Sequence, residues 1–171
     1  MTVNYYELYQ INDPFNIDKD ALRKRMTALQ REFHPDKFVG ATQQEQDTAL
    51  SMAGMINAAY KTLSNPTSNL HYYLLQQNII TDGESVQLPQ AFLMEAMDMG
   101  EAIDDALAAN DVNAIERIAV SLQAQEKQYM SEIIACLNGK TENSLAKARI
   151  KYYELKYILR QQNLLLRKEE L

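Results

Sequence analysis

An imidazole and a carboxylate stand two positions apart at His34-Pro35-Asp36, with Lys37 directly behind them. Two kinds of chemistry suit such a set. In an enclosed pocket the pair is an acid–base couple; on a rigid exposed turn it is a charged docking point. The proline decides between them. Pro35 has no N–H and disfavours α geometry at His34, so a helix arriving from upstream stops there and leaves both side chains on a stiff tip. Such a tip lacks the pocket that catalysis needs. His34 and His71 are the only histidines, and no serine or cysteine has a partner nearby to make it a nucleophile. Docking to another protein is therefore expected, with no catalytic residue and no cofactor. A blander reading stands beside it: Pro35 stops a helix, Asp36 caps the next, and His34 is incidental.

The elements that hold this tip are legible on either side. Asp18 is a good N-cap, with Ile17 placed to staple onto Leu22. Leu22, Met26, Leu29 and Phe33 then recur on one helical face, Lys24 and Arg31 lie opposite, and Arg23 and Arg25 flank them. After the tip, Thr42-x-x-Glu45 forms a capping box and opens a return helix with a core stripe of Ala49, Met52, Ile56, Ala59/Tyr60 and Leu63. Asn65-Pro66 caps a further short helix through Leu70, Tyr73 and Leu74. A short aromatic helix, Tyr5-Tyr6-Glu7-Leu8-Tyr9, precedes all of these and is broken at Asn12-Asp13-Pro14.

From Gln76 to Leu88 the periodicity lapses around the turn Thr81-Asp82-Gly83, which sets a first domain at 1–76, a linker at 77–88 and a second domain at 89–171. Pro89 suits the first turn of a helix running to about Ala108. Asn110-Asp111 opens another that ends at Asn138-Gly139, and a third spans about Glu142 to Lys168. Short loops between three helices predict an antiparallel bundle, so the fold class is all-α.

Composition narrows the class. The 171 residues are 46% hydrophobic, with 5 Gly and 4 Pro, which suits a helical protein with a buried core. A net charge of −6 speaks against nucleic acid or an anionic membrane as partner. The single cysteine, Cys136, excludes an internal disulfide and a cysteine metal cluster. No apolar run approaches the about 18 residues of a membrane span, and the first residues carry no signal core, so a cytoplasmic monomer is expected. Charge is uneven: residues 1–76 carry 7 Lys/Arg and 8 Asp/Glu, whereas residues 77–171 carry 10 and 15. Two halves of different electrostatics suggest two binding tasks.

Together, the aromatic first helix, the basic helix ending at His34-Pro35-Asp36, the capped return helix with its Asn57-x-x-Tyr60-x-x-Leu63 face and the Asn-Pro helix resemble the J-domain of DnaJ-type co-chaperones over residues 3–76. The Gly/Phe-rich segment and CxxC repeats of general J-proteins are missing. Instead, the run from His34 to Phe38 and the segment Ala91-Phe92-Leu93-Met94-Glu95 opening an acidic bundle are similar to the HscB family, the J-proteins of iron–sulfur cluster assembly. The extra N-terminal cysteine motif of eukaryotic members is absent, so the likeness is to the bacterial form.

This resemblance implies two partners: a DnaK-type ATPase chaperone (HscA-like) and an iron–sulfur scaffold protein (IscU-like) that itself holds the cluster. It assigns His34, Pro35, Asp36 and Lys37, with Arg23, Lys24, Arg25 and Arg31, to the chaperone. Thr27, Ala28 and Asn69 stand where many J-domains are basic, which points to a dedicated partner. On the helix from Pro89, Phe92, Ala96/Met99, Ile103 and Ala106/Leu107 point to the core, whereas Leu93, Met94 and Met97 are displaced by roughly 100–200°. An exposed Leu/Met patch is expected, bordered by Asp98, Glu101 and Asp105. In the family this helix works with an aromatic on the last helix, and Tyr152 best matches it. The local pattern allows Tyr152 outward with Ile150, Tyr153 and Tyr157 inside, or the reverse.

Overall fold

The computed structural model describes residues 3–169. The chain is all-α: α1 (Tyr5–Tyr9), α2 (Lys19–Glu32), a 3-10 turn (Pro35–Phe38), α3 (Gln43–Ser64), α4 (Pro66–Gln76), α5 (Gln90–Ala108), α6 (Val112–Gly139) and α7 (Glu142–Glu169). No strand occurs among the described residues, and none of their helices is long and apolar enough to cross a membrane. The chain forms two compact units that divide between Asn78 and Ile79.

In the first unit each helix begins where a polar side chain meets its orphan N–H groups. Asp18 accepts from the N–H groups of Asp20 and Ala21. Thr42 and Glu45 close a reciprocal capping box, and Asn65 accepts from Ser68 N–H with Pro66 in the first turn. The core gathers Tyr9, Leu22, Leu29, Ile56, Ala59 and Leu63, with Met26, Phe33 and Tyr60 packed against it. Side chains such as Ile56, fully buried here, each contribute about 1.5–3 kcal/mol of apolar burial.

Helix α1 is too short to stand alone; aromatic contacts hold it. The Tyr5 ring stacks on Tyr72 at 4.6 Å, and the Tyr9 hydroxyl donates to the Ile56 carbonyl at 2.8 Å, where burial pushes the phenol up to about 12. Asn69 is buried and fully engaged: its amide donates to the Pro14 carbonyl at 2.6 Å, and its oxygen accepts from the Tyr6 hydroxyl at 2.9 Å. An arginine there would lose both contacts, so Asn69 ties the loop after α1 to α4.

In the second unit α6 runs antiparallel to α7. Lys151 pairs with Glu132 and, further along, Gln162 donates to Glu126. Helix α5 lies parallel to α7, with Phe92 against Tyr157 and the Gln161 amide donating to the Ala96 carbonyl at 2.8 Å. Ile103, Leu122, Ile158 and Leu165 form its core. The stop of α6 differs from expectation. The helix runs through Gly139, and it is Lys140 that takes the left-handed conformation (φ 53°). Gly139 serves close approach instead, because a Cβ there would come to 3.0 Å of Ser144 Oγ.

The stretch between α4 and α5 is anchored within the second unit. Ile80 is buried, and the Glu84 carboxylate accepts from Arg149 Nε at 3.0 Å, Arg149 Nη2 at 2.6 Å and the Tyr153 hydroxyl at 2.8 Å. Fork-to-fork pairing of this kind is among the stronger polar contacts. The Arg149 hydrogen bond holds the Glu84 carboxyl below its ordinary value of 4.5. A depressed acid pKa gives stability that is present above the unfolded value and is lost as pH falls through the folded one. Glu84→Gln is therefore expected to lower the thermal midpoint at pH 7, and the gap from wild type closes as melts are repeated from pH 5 downward. A gap constant with pH would refute the assignment.

Candidate functional site

The tip is built by the proline. Helix α2 ends at Glu32, Phe33 N–H still bonds back to Leu29, and His34 is extended (φ −66°, ψ 129°). Pro35 then occupies the first position of the 3-10 turn, and Lys37 N–H closes onto the His34 carbonyl at 3.0 Å. His34 Nδ1 caps this turn by accepting from Asp36 N–H at 3.3 Å and lies 3.5 Å from Asp36 Oδ2. These contacts belong to different protonation states. Nδ1 accepts only without a proton and donates to the carboxylate only with one. Either way the imidazole stiffens the turn, while the side chains stay open to solvent, 57% exposed for His34 and 87% for Asp36.

Arg23, Lys24, Arg31 and Lys37 are all exposed around this hairpin. Arg25 differs from its three neighbours on α2. It is half-buried, and its Nε donates to the Leu8 carbonyl at 3.2 Å. Its guanidinium therefore straps α1 to α2, a tertiary contact that no reading of the α2 face alone reveals.

On α5 the expected surface is present in part. Met94 and Met97 are 60% and 66% exposed, Leu93 is half-buried, and Asp98, Glu101 and Asp105 are exposed beside them. Tyr152 requires a correction: it is buried at 5% and does not face outward. Helix α7 turns Ala148, Tyr152, Leu155 and Ile158 inward as one row, and burial pushes the Tyr152 phenol well up. The outward aromatic near α5 is Tyr157, 42% exposed and edge-to-face with Phe92 at 5.9 Å. The inward row is set by what packs against α7, because the local pattern leaves the face of Tyr152 open. Ala148 and Leu155, seven apart, share the inward row into which Tyr152 falls.

Sequence reasoning also passed over Glu154, a carboxylate buried to 6% exposure. Desolvation raises its pKa, opposed by Lys151 and by a hydrogen bond from Tyr129. Lys151 is shared: its Nζ lies 2.6 Å from Glu132, 3.9 Å from Glu154 and 4.9 Å over the Tyr129 ring. Among the described residues no buried side-chain nitrogen or oxygen lacks a hydrogen-bond partner.

Residues 88–165 match the family model described as the HSCB C-terminal oligomerisation domain. The co-chaperone protein HscB of Proteus mirabilis (strain HI4320) is 34% identical over 141 residues, which are 81% of this chain and 82% of that protein. This chain belongs to the HscB co-chaperone family. The HscB homolog of Colwellia psychrerythraea is 31% identical across 89% of the chain and 91% of its own length. Among solved structures, human HscB superposes with a TM-score of 0.85 at 26% identity, covering 98% of this chain and 83% of that one. HscB from Vibrio cholerae gives 0.80 at 28% identity and covers 98% of both. The HscB likeness thus spans the His34-Pro35-Asp36 hairpin as well as the three-helix unit.

Proposed function

We propose that this HscB family member is a co-chaperone of iron–sulfur cluster assembly that joins two proteins. Its second unit holds an IscU-like scaffold on the exposed face of α5. Its first unit, a J-domain, brings that cargo to an HscA-like ATPase of the DnaK type and stimulates ATP hydrolysis. The chain performs no bond chemistry itself; it raises the effective concentration of scaffold at the chaperone, converting a weak second encounter into an intramolecular one. The observation that carries this reading is the pair of unshielded surfaces: the open imidazole and carboxylate of the tip, and the methionine pair with its acidic edge on α5.

At the tip, Asp36 offers a charge-assisted hydrogen bond to a partner arginine, while Arg23, Lys24, Arg31 and Lys37 steer the hairpin onto an acidic surface. On α5, Leu93, Met94 and Met97 supply apolar area, and Asp98, Glu101 and Asp105 set orientation. A second reading keeps the J-domain and changes the client. It draws on the burial of Tyr152, which removes one anchor that the sequence led us to expect. The test is turnover of the HscA-like ATPase with this chain, with scaffold, and with both. Stimulation by the chain that scaffold amplifies supports the first reading. Stimulation indifferent to scaffold favours the second, and no stimulation refutes both.

A further inference from the structure

We infer that the cleft where α5, α6 and α7 meet seats a lysine or arginine side chain of the partner protein held on α5. This deepens the client-binding reading and rests on it. The cleft has a volume of about 560 Å³; Phe92, Met99, Tyr129 and Ile158 give it apolar and aromatic walls, and Glu95 and Asp98 stand on its rim. No lysine or arginine lines it. Lys151, 4.9 Å over the Tyr129 ring, is already held by Glu132 and Glu154. Counting Glu95, Glu132 and Glu154 around Tyr129, the surroundings keep an excess of negative charge over that single lysine.

An apolar wall ending in carboxylates matches one kind of guest. Long basic side chains lay their methylene stems along apolar surface and keep the charged head at a polar edge. Here the stem would lie against Phe92 and Met99, and the head would meet Glu95 and Asp98 with aromatic rings close by, an arrangement that also favours a cation. An acidic guest is repelled by the rim. The cleft is also continuous with the proposed client surface: Asp98 belongs to both, and Glu95 is the neighbour of Met94 on the same turn of α5.

The test is calorimetric titration of the scaffold protein into the full-length chain at low and high salt. Glu95→Lys is expected to weaken binding about tenfold or more, and Glu95→Gln severalfold with a shallower salt dependence, as loss of an opposite charge across an interface requires. Ala102→Trp, which fills the cleft from an exposed position, is expected to weaken binding at both salt concentrations. Glu95 is itself exposed, so its variants keep the core intact. Wild-type affinity in Glu95→Lys and Ala102→Trp overturns the inference, even where Met94→Ala/Met97→Ala loses binding and the reading of α5 stands. Failure of the wild-type chain to bind scaffold overturns both.

Discussion

Asp36→Asn is expected to shift the concentration needed to stimulate the partner ATPase upward by about one to two orders of magnitude, with no loss of fold. The replacement keeps size, shape and the backbone N–H that His34 Nδ1 accepts, so the 3-10 turn survives. It removes the negative charge. A hydrogen bond to a charged group contributes about 1.5–3 kcal/mol, which converts to roughly a 10- to 150-fold weaker productive encounter. Stability should move by less than about 0.5 kcal/mol, because the Asp36 side chain is 87% exposed. The expected pattern is thus a large functional change at constant melting temperature. Undiminished stimulation by the variant would remove the tip from the mechanism.

How much of this was readable in advance follows the range of the interactions involved. The starts of α2, α3 and α4 were legible because a cap and the N–H groups it satisfies lie within three residues: Asp18 with Asp20 and Ala21, Thr42 with Glu45, Asn65 with Ser68. The stop before Pro35 was legible for the same reason. Arg25 was not, because its partner, the Leu8 carbonyl, lies on another helix 17 residues away. Asn69 looked like a missing positive charge, yet its reason for being there is a bond to the Pro14 carbonyl 55 residues distant. On α7, apolar and aromatic residues crowd Ile150 to Ile158 so densely that no single face stands out locally. Only α6 and α5, packing from one side, decide that Tyr152 goes inward and Tyr157 outward. Met94 and Met97 were legible because α5 already has a complete inward stripe without them.

That surplus on α5 leads to the second large effect. Met94→Ala/Met97→Ala is expected to weaken scaffold binding about 100-fold, mostly through faster dissociation. Fully burying a methionine side chain stabilises a complex by about 1.5–3 kcal/mol; Met94 and Met97 are still 60% and 66% exposed, so part of each is already covered and the remaining gain is nearer the lower end for each. The unbranched thioether also adapts its shape to a partner, which suits a surface that captures another protein. Neither residue contributes to the core, so the double variant should melt as the wild type does. The comparison that gives this meaning is Val112→Ala/Val120→Ala. Those valines are 72% and 62% exposed on α6, away from α5, and their removal should leave affinity unchanged. If the valine pair costs as much as the methionine pair, binding follows general surface hydrophobicity rather than a site on α5. If the methionine pair costs nothing, the client is held elsewhere.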